Sequence, residues 1–99
     1  MRGNQVYGTV FKLSVKPGHE KDLLDAIETE IPNGMLAWFL MKPDDEEADL
    51  IGVAVFENKE AHLANANRPE QHESFTKIME HLNSEPIWTD GEYIAGAIA

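Results

Sequence analysis

Two apolar runs at the centre of this 99-residue chain constrain its fold more than any other feature. Met35-Leu36-Ala37-Trp38-Phe39-Leu40-Met41 and Leu50-Ile51-Gly52-Val53-Ala54-Val55-Phe56 are short, and they are rich in large, aromatic or β-branched side chains, which suits strands. Between them, residues 42–49 hold Pro43 and five acids, a polar, turn-forming stretch. The two runs therefore predict an antiparallel hairpin. Successive side chains of a strand point to opposite faces, yet both runs are apolar at both parities. Each face of the hairpin consequently needs a cover.

The remaining elements follow from periodicity and punctuation. Residues 6–15 alternate, with Tyr7, Thr9, Phe11, Leu13 and Val15 on one face and Val6, Gly8, Val10, Lys12 and Ser14 on the other, which predicts a first strand. Lys16-Pro17-Gly18-His19-Glu20 breaks that pattern, and proline with following acids suits the first turn of a helix. Leu23, Leu24, Ile27 and Ile31 recur at helical spacing and carry this helix to about Glu30, before Pro32 and Gly34 end it. Asn58 caps a helix over Lys59–Ala66, and Asn67-Arg68-Pro69-Glu70 repeats the cap signal for another. In that second segment Phe75, Ile78, Met79 and Leu82 form a narrow stripe with Gln71 and His72 on its margin, and Ser84-Glu85-Pro86 stops it. Residues 87–94 read as a last strand with a bulge or bend at Asp90-Gly91.

The order β-α-β-β-α-β predicts a ferredoxin-like α+β fold, an antiparallel sheet with its helices packed on one face. The other face, apolar in the central hairpin, is left uncovered. A homodimer that stacks two such sheets is the simplest cover for so short a chain.

Composition excludes several function classes. Hydrophobic residues make up 42 % and charged residues 26 % of the chain, an ordinary globular balance that predicts one folded domain over residues 1–99. Eighteen acids against eight scattered bases give a formal charge of −10, which repels phosphate backbones and argues against nucleic-acid partners. With no cysteine, disulfides and thiolate chemistry are excluded. Residues 1–5 lack an apolar stretch, and residues 35–41 fall far short of the ~20 that span a bilayer, so the expectation is a cytoplasmic protein without a membrane partner. The spacings from His62 to His72 and from His72 to His81 match no metal signature, so no metal is expected. Asp44-Asp45-Glu46-Glu47 lacks the alternation of a calcium loop. The serines and glycines form neither a nucleophile elbow nor a phosphate-binding loop.

Candidate site residues remain. Trp38, Trp88, Tyr7 and Tyr93 suit either a flat aromatic pocket or ordinary core packing. Trp38 is the preferred pocket residue, because its neighbours Ala37 and Phe39 serve the opposite face of their strand. His72, beside Gln71, is the natural general base, or else a helix-surface histidine. His62 and His81 are expected at the surface, and His19 in the first turn of the first helix.

V-K-P-G-H-E-K-D-L-L after the first strand, N-G before the second, V-A-V-F-E-N-K-E-A-H-L-A-N, P-E-Q-H-E-S-F and the closing E-P-I-W-T-D-G-E-Y together resemble the antibiotic biosynthesis monooxygenase-like (ABM) family of dimeric α+β barrels. The resemblance covers about residues 5 to 95. It implies a homodimer and, in one branch of the family, a monooxygenase without any cofactor, in which molecular oxygen attacks an electron-rich phenol, quinol or anthrone. Asn65 falls where many relatives carry a histidine; an asparagine there can donate to an oxyanion but cannot act as a base. In the heme-degrading branch a tryptophan and a heme-ligating histidine would fall near Asn65 and Phe75, so heme degradation is not expected. The resemblance thus makes Asn65 and His72 the catalytic candidates, with Trp38, Tyr7 and Gln71 contacting a small aromatic substrate. The alternative it leaves is a non-catalytic dimer that binds a small apolar ligand.

Overall fold

A computed structural model describes residues 6–27 and 31–97. In chain order the elements are β1 (Tyr7–Leu13), α1 (Glu20–Ala26), β2 (Met35–Met41), β3 (Leu50–Phe56), α2 (Lys59–Ala66), α3 (Pro69–Met79) and β4 (Ile87–Glu92). The four strands form one sheet in the order β2-β3-β1-β4, with every neighbouring pair antiparallel. β3 thus lies between β1 and β2, and β1 between β3 and β4. This is the split arrangement expected of the ferredoxin-like fold, with α2 and α3 together filling the place of its second helix.

Register decides which residues share a face. Trp38, Ala54, Thr9 and Asp90 form one row across the four strands, and Leu40, Gly52, Phe11 and Trp88 form the next. Ala54, Gly52 and Thr9 are buried, so these rows face the helices. Phe39, Val53, Val10 and Thr89 lie on the opposite face, beside Met41, Ile51, Lys12 and Ile87. That face is open: Phe39 is 68 % exposed and Ile87 62 %. On the helical side Leu13, Leu23, Leu50 and Leu82 make the buried core cluster, with Ile27, Leu40 and Ile78 packed against it.

Several local expectations need correction. The first helix stops at Ala26, because Ile27 takes an extended backbone and packs its side chain on the core cluster from there; Leu24 and Ile31, though at helical spacing, are exposed. Glu30, the expected end, lies outside the described residues. β4 pairs with β1 without a bulge at Asp90-Gly91, since Gly91 stands in register opposite Gly8; the irregularity falls instead in β2, between Met35 and Ala37. Asn58 does cap α2, its Oδ1 accepting from Ala61 N at 2.8 Å. Asn67, by contrast, closes α2, and Arg68 precedes the first-turn Pro69 of α3 without a side-chain cap bond. β1 ends at Leu13, and Val15 pairs separately with Leu82. Among the described residues no helix is long and apolar enough to cross a membrane.

Tyr93, just past β4, closes over the sheet. Its ring lies so near Gly8 that a Cβ there would sit 2.9 Å from Tyr93 Cε2. Its hydroxyl lies 3.0 Å from Ala54 O and 3.3 Å from Thr9 O. The hydroxyl has a single proton to donate, so the shorter bond to Ala54 is the stronger. Burial raises the Tyr93 pKa above its ordinary value of 10.0. The folded state therefore favours the protonated phenol, and the stability this contributes is intact below pH ~10 and lost as pH rises further. Tyr93→Phe is expected to cost ~1 to 2 kcal/mol at neutral pH. In thermal melts the gap between wild type and variant should narrow above pH ~10.

Candidate functional site

Between the sheet and the two later helices lies a cavity of about 420 Å³. Phe11, Trp38 and Ala54 contribute from the sheet, and Phe75 and Ile78 from α3. The tilted rings of Phe11 and Trp88, 5.1 Å apart, continue towards Phe75, 6.3 Å beyond Trp88. The volume lies within the usual range for small-molecule sites, and its walls are mainly apolar.

Polar groups enter this lining chiefly from the helices. His62, Asn65 and Ala66 all line the cavity, spaced i, i+3 and i+4 on one face of α2. The His62 ring is held between Phe56, edge-on at 5.2 Å, and Tyr7, tilted at 5.3 Å. Its Nδ1 is buried without a hydrogen-bond partner, a condition that costs about 1 to 3 kcal/mol unless a partner is supplied. Asn65 is oriented from the turn between the helices: its Oδ1 accepts from Arg68 Nε at 2.8 Å, while Arg68 Nη1 lies 3.5 Å from Glu70 Oε2. From α3, Gln71 and His72 also reach the lining, Gln71 half-buried and His72 exposed.

No protein-family model matches the chain, and no curated protein matches it in sequence. Solved structures do match it in shape. A conserved protein from Methanosarcina mazei Go1 superposes with a TM-score of 0.79 at 15 % identity, over 88 % of this chain and 91 % of its own. A provisionally named antibiotic biosynthesis monooxygenase from Nitrosomonas europaea gives a TM-score of 0.78 at 10 % identity over 95 % of each chain. Another so named, from Caulobacter crescentus CB15, gives 0.74 at 15 % identity over 93 % and 92 %. The chain has the ABM-like fold.

Within this ABM-like fold, Trp38, Asn65, Gln71 and His72 meet at one cavity, although they come from β2, α2 and α3. Tyr7 is not among the lining residues; it touches the cavity only through the His62 ring. Tyr93 lies against Gly8 instead. His62 is a lining residue that the sequence reading missed, being expected at the surface and found half-buried among aromatic rings. One signal could have found it: His62 and Asn65 stand one helical turn apart, so turning Asn65 inward turns His62 inward as well. The arrangement offers a mainly apolar cavity, an imidazole, and a carboxamide whose oxygen is already engaged. In such surroundings a hydrogen bond to a developing charge is stronger than in water.

Proposed function

We propose that this protein is a cofactor-independent monooxygenase that oxidises a small aromatic substrate of the quinol or anthrone type with molecular oxygen, acting as a cytoplasmic homodimer. The observation that carries this reading is the half-buried His62 imidazole beside Asn65 in the lining of a mainly apolar cavity. His62 takes a proton from the substrate as general base. The negative charge that this leaves on the substrate oxygen is met by the Asn65 amide NH2, because the Asn65 oxygen is already held by Arg68. The resulting carbanion donates electrons to dioxygen and forms a carbon–oxygen bond. The His62 imidazolium returns its proton to the peroxide, and loss of water from the resulting hydroperoxide turns a ring CH2 into a carbonyl, with one oxygen atom retained and the other leaving as water. Trp38 stacks on the ring, Gln71 orients it, and Tyr7 holds the His62 imidazole in place. The fold supports this reading, since two of the similar structures bear the provisional name of antibiotic biosynthesis monooxygenases.

The test is oxygen uptake with a panel of quinols and anthrones. Loss of the base in His62→Gln is expected to lower turnover ~100-fold or more, with Asn65→Ala falling by a comparable factor. His72→Ala, at an exposed position, should change it less. A loss in His72→Ala alone would move the role of base to His72. Tight ligand binding with no oxygen consumption would establish the non-catalytic alternative.

A further inference from the structure

We propose a second site, distinct from the cavity: His19, Asp22 and His81 form a binding site for a divalent transition-metal ion of the zinc type. The three side chains can each offer a ligand atom, all within 4.8 Å of one another. None of them lines the cavity. His19 and His81 are 62 positions apart in sequence, yet their Nδ1 atoms lie 3.1 Å apart. Two nitrogens bound to one zinc at ordinary lengths and a tetrahedral angle stand about 3.3 Å apart, so the pair already has the spacing of two metal ligands.

The backbone beneath the pair is fixed before any ion arrives. His81 O accepts from Lys16 N at 2.9 Å, Lys16 O accepts from His19 N at 3.0 Å, and Ser14 O accepts from Asn83 N at 2.8 Å. His19 precedes α1 without using its side chain as a cap, which leaves the ring turned towards His81. Asp22 follows one helical turn later, on the same side of α1. It is exposed, so its carboxylate can rotate the remaining distance towards an ion at little cost. A hydrogen bond between two imidazoles accounts for the histidine pair but gives Asp22 no part. A metal ion engages all three, with water in the fourth position.

The donor set decides the class of ion. Two imidazole nitrogens and one carboxylate oxygen suit Zn²⁺ and its first-row neighbours, whereas Ca²⁺ and Mg²⁺ prefer oxygen alone. The formal charge of −10 raises the local concentration of any cation. An ion here would tie the start of α1 to the segment that follows α3, the helix that contributes Phe75 and Ile78 to the cavity.

The test is calorimetric titration of the tag-free full chain with ZnCl2, with thermal melts in parallel. One Zn²⁺ per chain is expected, with a micromolar or tighter dissociation constant. At a hundredfold excess over that constant the melting temperature should rise by about 10 °C. His19→Gln and His81→Ala should each weaken binding at least 100-fold and abolish the rise, and Asp22→Asn should weaken it about 10-fold, while His72→Ala should bind as wild type does. Circular dichroism in chelator establishes that the variants are folded. No binding at millimolar Zn²⁺ would overturn the proposal. So would binding that survives in the His19→Gln, His81→Ala double variant, because that signal would come from surface carboxylates.

Discussion

Phe39→Asp is expected to abolish self-association while leaving the monomer folded. Phe39 stands on the open face in one row with Val53 and Val10, next to Met41 and Ile51 of the neighbouring row. Val10, Phe39, Met41 and Ile87 are all exposed. An apolar surface of this kind on a small domain marks an interaction site. A second copy of the same sheet is the proposed cover, because it brings an equally apolar face of the same size and satisfies two-fold symmetry. A carboxylate at the centre of that contact is introduced twice by symmetry, and the one cation among the described strand residues of that face, Lys12, stands two strands away on β1. The cost of burying it unpaired is several kcal/mol. Sedimentation equilibrium should therefore show the dissociation constant rising by at least ~1,000-fold. The melting curve of the dissociated variant should remain cooperative, since Phe39 makes its proposed contacts outside its own chain. A wild type that is monomeric at all concentrations, or a dimer that tolerates the aspartate, would dispose of the stacked-sheet arrangement.

Gly52→Val should strongly destabilise the monomer itself. The Phe11 ring lies across the face of Gly52, and a Cβ on that residue would overlap the ring edge. Phe11 cannot step aside without losing its packing on Trp88 and its place in the cavity lining. Overpacking of this kind costs about 1 to 3 kcal/mol, and valine carries two further methyl groups into the same space. A loss near the upper end corresponds to a fall in melting temperature of about 10 to 20 °C for a chain of this size. Because the damage runs through one contact, removing the ring should repair part of it. The double variant Phe11→Ala, Gly52→Val is expected to be more stable than the sum of its two single changes predicts, by ~1 kcal/mol or more in denaturant melts. A Gly52→Val melt within a few degrees of wild type would show that Phe11 has room to move.

These expectations rest on registers that were only partly legible in the sequence. The strands and helices themselves were legible, because alternation, caps and prolines act over a few residues and leave local marks. Asn58, Pro69 and the acidic loop over residues 42–49 each announced a boundary close to where the structure has it. Errors came where a local signal met a tertiary competitor. The first helix has the spacing to continue past Ala26, yet the chain turns at Ile27 to place that side chain on the core. Gly91 suggests a bulge when read alone, and ceases to do so once Gly8 stands opposite it. His62 looked like a surface residue because the short α2 has no strong apolar stripe; its inward side is set by Tyr7 and Phe56 from the sheet.

By itself, the sequence determined the order of elements, the ferredoxin-like class and the need to cover two faces of the central hairpin. All of these follow from side-chain periodicity and backbone preference, which are properties of neighbours along the chain. Tertiary structure alone decided which parity of β2 and β3 faces the helices, since both are apolar and period-two alternation cannot choose between them. Pairing β3 with β1 made that choice, placing the Phe11 ring on Gly52 and sending Trp38 towards the cavity while Phe39 turned away. Tertiary structure also brought His19 to within 3.1 Å of His81. That meeting depends on where two chain segments dock, and no spacing within either segment records it.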